Sequence, residues 1–461
     1  MLLLPVAMGL VWLVYEVFAS LNAKPAPDTD YGAQMRALML EPQVDRDGPG
    51  FEGANLDAAW EAFVDTVSDT ATSADEVVYE VAKAVVGEDA GLRGYDWSLV
   101  YRLHERESDI ADGRLIDGLS EAESLAEIRA VHAAMVRELE SGSHIALLGP
   151  LLEQARSGAP IVRPWPSDSR LIDVDLSDLR RTRHASFFCT SLMFVAAERK
   201  DWSTFMDALE VALWLGRVSA CDPIFIGYLV GISQHALALE RIRVTLIEHD
   251  LPADVLAEVA RLLDENPLPG FQHAYRGEKI WSLDVVQRAH DSRGRLIVTE
   301  VNALSGGGMR GWPRRFGNLA SIALPRRAET ESLFAVMYDR WIESAERPCF
   351  KYKVLLQPAT IDYEALMDRN PLLGVMFPAI GMASRSAWQN RHEREGIGAM
   401  VAIERYRAER GVLPASLDDL VPAYLEAVPM DVIDGQPLRY RVEADAAASR
   451  PGYVLYSIGV D

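Results

Sequence analysis

Three cysteines in 461 residues, Cys189, Cys221 and Cys349, are too few and too odd in number for a disulfide framework. A helical hairpin turning at Lys200-Asp201 leaves Cys189 and Cys221 offset by roughly 13 Å along the axis, beyond disulfide reach. Both are expected to be buried thiols. The nine histidines are scattered, with no His-Glu-x-x-His, and no Cys-x-x-Cys occurs. No Gly-x-Ser-x-Gly, Walker A or dinucleotide fingerprint is present either. These absences remove the sequence signatures of zincins, α/β-hydrolases, P-loop enzymes and Rossmann enzymes. Positive charge is also scarce: 46 Lys and Arg stand against 68 Asp and Glu, a formal charge of −22. Nonspecific nucleic-acid binding depends on Lys and Arg neutralising phosphates, so no nucleic-acid partner is expected.

Long apolar runs are limited to one, Leu2 to Leu21, interrupted by Pro5 and Glu16. About 20 apolar residues cross a bilayer, so residues 1–22 read as a hydrophobic membrane anchor or signal segment. An uncleaved anchor is the favoured reading; Val17-Phe18-Ala19 offers the cleavage site of the alternative. An acidic body behind it fits the outside of the cytoplasm. The expectation is a bacterial cell-envelope protein, anchored in the inner membrane or else secreted or periplasmic after cleavage.

What is present is mostly helical periodicity. Residues 23–55, rich in Pro, Gly and Asp, read as a tether. Residues 56–380 read as an α-helical body in which Trp60, Phe63, Val64 and Val67 recur at helical spacing, as do Val131, Met135 and Leu139. Ser157 to Asp178, with Pro160, Pro164 and Pro166, reads as an extended polar break. The clearest hairpins span 185–264, with Asp222 and Pro223 expected to open one helix and Asp250 with Pro252 the next. The Asp201-Trp202 turn with Ala208 and Ala212 is similar to a tetratricopeptide unit, but no second copy occurs at that period. A generic helical bundle or α-solenoid-like body is expected.

The last eighty residues change pattern. Ile397, Met400, Val401, Ile403 and Tyr406 stripe a long helix that Gly411 ends. Ser416 and Asp419 have capping-box spacing, and Pro422 helps to end the short helix that follows. Leu438 to Val442 and Tyr453 to Ile458 alternate as strands, with Asp434-Gly435 as the turn into the first. Residues 382–461 are thus a long helix leading into a small α+β domain, and the whole chain is mainly α.

This order, with Gly411 and Pro414, Pro429 and Asp431, Gly435 and Pro437, and Tyr456-Ser457 with Gly459 and Asp461, resembles the globular domain of the type II secretion major pseudopilins. The resemblance implies a long helix packed on a small antiparallel sheet. Calcium binding and fibre assembly are not carried over, since few oxygen ligands are available at Asp461. The layout is also similar to a set of bacterial proteins with an N-terminal hydrophobic segment, a long helical body and this C-terminal module. That similarity rests on 198–217 and 222–242, and it implies layout rather than activity.

No residue is assigned as catalytic, cofactor-binding or metal-ligating, and no cofactor is expected. His235 and His249 read as satisfied structural histidines, and Asp173, Asp175 and Asp178 as an acidic loop and helix cap. Asp45, Asp47 and Gly48 hint at a calcium loop but leave Leu56 where a Glu ligand would stand. Ser305 to Gly308 reads as a flexible loop. Arg310, Arg314 and Arg315 with Trp312 and Phe316, then Arg326 and Arg327, concentrate positive charge; they either meet anionic headgroups or pair with the protein's own carboxylates. The functional expectation is a non-enzymatic, membrane-anchored, outward-facing scaffold or protein-binding protein. Its partners are the membrane, through the N-terminal segment, and other proteins. The alternatives are a component of a type II secretion-like system and a hydrolase whose site is assembled from residues distant in sequence.

Overall fold

The computed structural model describes residues 24–43, 55–86, 120–142, 145–297, 300–301, 324–345, 370, 372, 380–443 and 452–458. Among them are eleven α-helices and one two-stranded sheet, so the chain is mainly α, as its periodicity implies. The helices are α1 (Tyr31–Leu40), α2 (Leu56–Val86), α3 (Glu121–Glu140), α4 (Leu148–Ser157), α5 (Ser177–Glu198), α6 (Trp202–Cys221), α7 (Phe225–Glu248), α8 (Ala253–Glu265), α9 (Gln272–Arg288), α10 (Arg327–Ala345) and α11 (Ile380–Arg410). The strands β1 (Arg439–Glu443) and β2 (Gly452–Tyr456) pair antiparallel, with Tyr440 opposite Leu455.

The three hairpin helices α5, α6 and α7 form the centre. α6 packs on both α5 and α7, and α2 and α4 close the other sides. Their apolar faces make the main core, in which Phe63, Phe187, Phe205, Leu209 and Leu213 are all but inaccessible to solvent. The turn at 199–201 is tight because Lys200 takes a left-handed φ of 56° and Asp201 then caps α6 through Thr204 N. A second core joins α9 and α10. It holds an aromatic run, with Phe225 stacked on Phe271, Phe271 edge-on to Tyr275, and Tyr275 stacked on Trp341. A third core belongs to the terminal module, where Ala402, Ile403, Leu417, Leu420 and Leu438 meet.

One helix takes part in all three. α11 places Ala387 in the second core, Ile397 and Val401 in the main core, and Ala402 and Ile403 in the terminal one. At 1.5 Å per residue this 31-residue helix is about 46 Å long. Gly411, at φ 73°, ends it in the left-handed conformation that a helix terminus favours in glycine. Ser416 and Asp419 form the expected capping box at the short 3₁₀ turn Leu417–Leu420.

Two sequence expectations are corrected. Within the stretch 23–55, read as a tether, residues 31–43 are folded: Asp30 caps α1 through Ala33 N, and Met35, Leu38 and Met39 are buried. The Pro, Gly and Asp content that suggested a loop supplies the cap and a close approach. A Cβ on Gly32 would lie 1.9 Å from the Pro166 carbonyl oxygen, so only glycine fits there. The break at Pro160 to Pro166 is extended, as its prolines dictate, but it is not a polar surface loop. Ile161, Val162, Arg163 and Trp165 are buried, and the Gln43 amide both donates to and accepts from the Ile161 backbone at 2.8 Å, a one-residue imitation of a β-ladder.

Among the described residues no helix is long and apolar enough to cross a membrane. The apolar run Leu2 to Leu21, Asp45 to Gly48, Ser305 to Gly308, Arg310 to Phe316 and Cys349 lie outside the described residues.

Candidate functional site

The most heavily built polar constellation centres on Arg163. Its extended segment is threaded between the N-terminus of α5 and the link from α6 to α7. Its guanidinium donates to Asp222 Oδ2 at 2.6 and 2.9 Å, to Asp178 Oδ1 and Oδ2 at 2.7 and 2.8 Å, and to the Asp175 carbonyl at 2.9 Å. Trp60 and Trp165 flank it, 4.7 and 5.7 Å from its carbon. Burial works against the charge, but the Asp222 and Asp178 carboxylates outweigh it and raise the pKa above the ordinary arginine value. With all its donors committed, the group acts as a clamp holding the extended segment to the hairpins.

This corrects two readings. Asp222 does not cap the next helix, and Asp178, though in the first turn of α5, is a buried counter-ion. The first amide of α7 is capped instead from another helix: Phe225 N donates to Glu278 Oε1 at 2.7 Å. Pro252 rather than Asp250 is the N-cap of α8, and no side chain caps it. Asp173 pairs with Arg170, and Asp175 caps the Ser177 amide, as the acidic-loop reading expects.

A second constellation runs along α7. Gln234, Arg241, Thr245 and Glu248 fall on one face of the helix, with Ala238 between the first two. Gln234 donates to Thr182 Oγ1 of α5 at 3.0 Å, and Thr245 bonds back to the Arg241 carbonyl. Arg241 is 3% exposed and sits 5.2 Å over the Phe194 ring; burial lowers its pKa to about 9, which still leaves it charged at neutral pH. Next to this face, His235 is fully buried, and neither ring nitrogen makes a hydrogen bond of normal geometry. Burial, with Arg394 adding repulsion, lowers its pKa to about 4. It is therefore a structural histidine but not a satisfied one.

At the C-terminal ends of α5 and α7, Glu198, Glu248 and His249 bring their donor atoms within 4.8 Å of one another. His249 Nε2 stands 3.3 Å from Glu198 Oε1, and its ring meets the edge of Trp202. Two carboxylates and an imidazole are ligand types for a divalent ion. Both glutamates are exposed, and His249 Nε2 is paired with Glu198.

In the terminal module the loop and the end of the second strand meet at Asp431. Its side chain is fully buried and takes four hydrogen bonds: Ile433 N at 2.9 Å, Ser457 Oγ at 3.0 Å, Arg439 at 2.9 Å and Ile458 N at 2.9 Å. Its backbone closes the loop with Gln436 and with Gly435, which sits at φ 70°. Asp431 is thus a post joining the loop to both strands, with no lone pair facing outward. Gly459 and Asp461 lie outside the described residues.

Comparison with known protein families, curated proteins and solved structures finds no match to this chain.

Arg327 pairs with Asp28 and Glu331, the self-pairing alternative of the sequence reading. Cys189 and Cys221 are free and buried, and burial pushes both thiols up to about 12, so neither is a nucleophile at neutral pH. A cleft of about 10 Å³ lined by Arg170, Asp284, Arg288 and Glu300 has room for roughly one water. Sequence reasoning missed the Arg163 clamp, since nothing local marks an arginine between prolines as a core residue. A weak signal was available: in so acidic a chain, Arg163 is followed at once by Pro-Trp-Pro, where the backbone is held extended beside an aromatic.

Proposed function

We propose that the protein is a non-enzymatic scaffold of the bacterial cell envelope. It is held to the membrane by Leu2 to Leu21 and presents its pseudopilin-like terminal module to protein partners outside the cytoplasm. The observation that carries this reading is α11. The module is not hung on a linker but grows out of a helix rooted in both cores of the body, so a partner gripping it would find a rigid support. Val412, Met430, Val442, Tyr456 and Ile458 are large apolar side chains at 42 to 60% exposure, all within the module, where partner binding would cover them. The Arg163 clamp and the Asp431 post spend their polar groups on holding the fold, which fits a scaffold.

The test is fractionation of cells expressing the full chain, followed by cross-linking and quantitative capture, with wild type compared to Tyr456→Glu/Ile458→Glu. The expected result is a carbonate-resistant membrane protein whose captured partners fall away in the variant. A soluble chain, or partners retained unchanged by the variant, would sink the reading.

A further inference from the structure

The C-terminus of a helix is a poor place for a carboxylate, because its last carbonyls already present partial negative charge. α5 and α7 nevertheless both end on glutamate, Glu198 and Glu248, and neither has a basic residue in its last turn. Arg199, the residue after α5, donates to the Glu140 carbonyl at 2.8 Å instead. Beside the two carboxylates stands the imidazole of His249, and one donor atom from each of the three lies within 4.8 Å of the others.

The three are positioned by the hairpin helices themselves. Glu198 is fixed in place by the tight turn at 199–201 that follows it. His249 is the C-cap of α7: its backbone N–H donates to the Thr245 carbonyl at 2.9 Å, and its own backbone is already extended at φ −129° and ψ 147°. Its ring meets the edge of Trp202, the first residue of α6, which packs against the main core. The imidazole is thus held, with 14% of its side chain exposed, while the exposed glutamates are free to turn toward it.

His249 Nε2 and Glu198 Oε1 are 3.3 Å apart, about 0.5 Å longer than a charge-assisted hydrogen bond. Two donors bound to one tetrahedral zinc at about 2.0 to 2.1 Å stand about 3.3 Å from each other. The separation is that of two ligands on one ion, and a rotamer change brings in Glu248. Two carboxylates and an unprotonated imidazole also balance a divalent charge. Arg241, two turns back on α7, lies buried over Phe194 and acts on Glu248 only at a distance.

We propose that Glu198, Glu248 and His249 form a zinc site that ties the C-terminal ends of α5 and α7 together, with water in the fourth position. The imidazole selects zinc over calcium and magnesium, which take oxygen ligands. The ion is a staple: it neutralises two helix ends that repel each other and fixes the hairpins from outside their core. The site does not depend on the scaffold reading.

The untagged full chain, with Cys349→Ser to remove the third thiol, would be stripped with EDTA, dialysed, and titrated with Zn²⁺ by calorimetry and with Co²⁺ by absorbance. The expected result is one equivalent of zinc, not displaced by excess Mg²⁺ or Ca²⁺, and the intense visible bands of tetrahedral cobalt. Glu248→Gln and His249→Gln should each weaken zinc binding by roughly ten-fold or more, since even the outer-shell partners of a metal are worth that much. Zinc should raise the melting temperature of the parent and leave that of both variants unmoved. No saturable zinc binding, binding unchanged by either substitution, equal binding of Ca²⁺, or weak octahedral-type cobalt bands would overturn the site. Glu248 is exposed, so metal-free melts of Glu248→Gln matching the metal-free parent exclude misfolding as the cause of a lost signal.

Discussion

A fully buried imidazole without a hydrogen-bond acceptor makes the fold sensitive to acid. His235 titrates near 4 in the native state and near its ordinary 6.5 when unfolded, so between those values the unfolded chain binds the extra proton. The stability it contributes is complete above pH 6.5 and is lost as pH falls to about 4. A shift of that size is worth about 3 kcal/mol at most. The shifts of His273 and His290, both lowered by burial, act in the same direction. Glu278 and Glu393, which burial pushes up to about 7, act in the opposite one, losing stability as pH rises toward 7. The contribution of His235 is therefore isolated by difference. His235→Gln should flatten the loss between pH 6.5 and 4, measured by urea titration at each pH; an unchanged slope would contradict the assignment. The sequence disclosed that His235 lies on an apolar helix. Its lack of partners was not legible, because satisfaction depends on α11, whose Asn390 and Arg394 are more than 150 residues away.

At the scale of elements, periodicity identified the helices well and their fastenings poorly. The stripes of α5 to α8 and the Gly411 stop are local facts, written within a few residues of each other. The cap of α7 is not: Asp222 had the right type and position, yet its carboxylate is drawn to Arg163, and Glu278 of α9 takes the vacant amide. A buried cation with two carboxylates outcompetes a helix amide for a nearby anion. The same junction sets a strict size limit. A Cβ on Gly277 of α9 would come within 1.4 Å of the Pro223 carbonyl oxygen, backbone that cannot step aside without moving the start of α7. Gly277→Ala should therefore destabilise by at least ~2 kcal/mol despite its better helix propensity. Chemical denaturation would check this, and a neutral or stabilised variant would show that α7 and α9 can slide apart.

For the molecule as a whole, the α-rich body and the terminal α+β module were legible because each declares itself by its own period, 3.6 in one and 2 in the other. What was not legible is that they share a helix, since a stripe on α11 does not say which core each residue enters. Ala387, Ile397 and Ala402 lie in three different ones. Because each residue advances a helix by 1.5 Å and turns it by about 100°, the three cores are keyed to one another by residue count alone. α11 behaves as a keyed shaft. One residue inserted between Trp388 and Glu395 would turn everything beyond it by about 100° and set the second core out of phase with the other two. Seven residues would restore the phase to within about 20° but displace the parts by roughly 10 Å. Both insertions should abolish the single cooperative melt expected of the intact chain, whereas a comparable insertion at Ala427, beyond the shaft, should leave the body's transition in place. Calorimetry of the three variants distinguishes the cases. This helix is thus constrained in length as well as in composition.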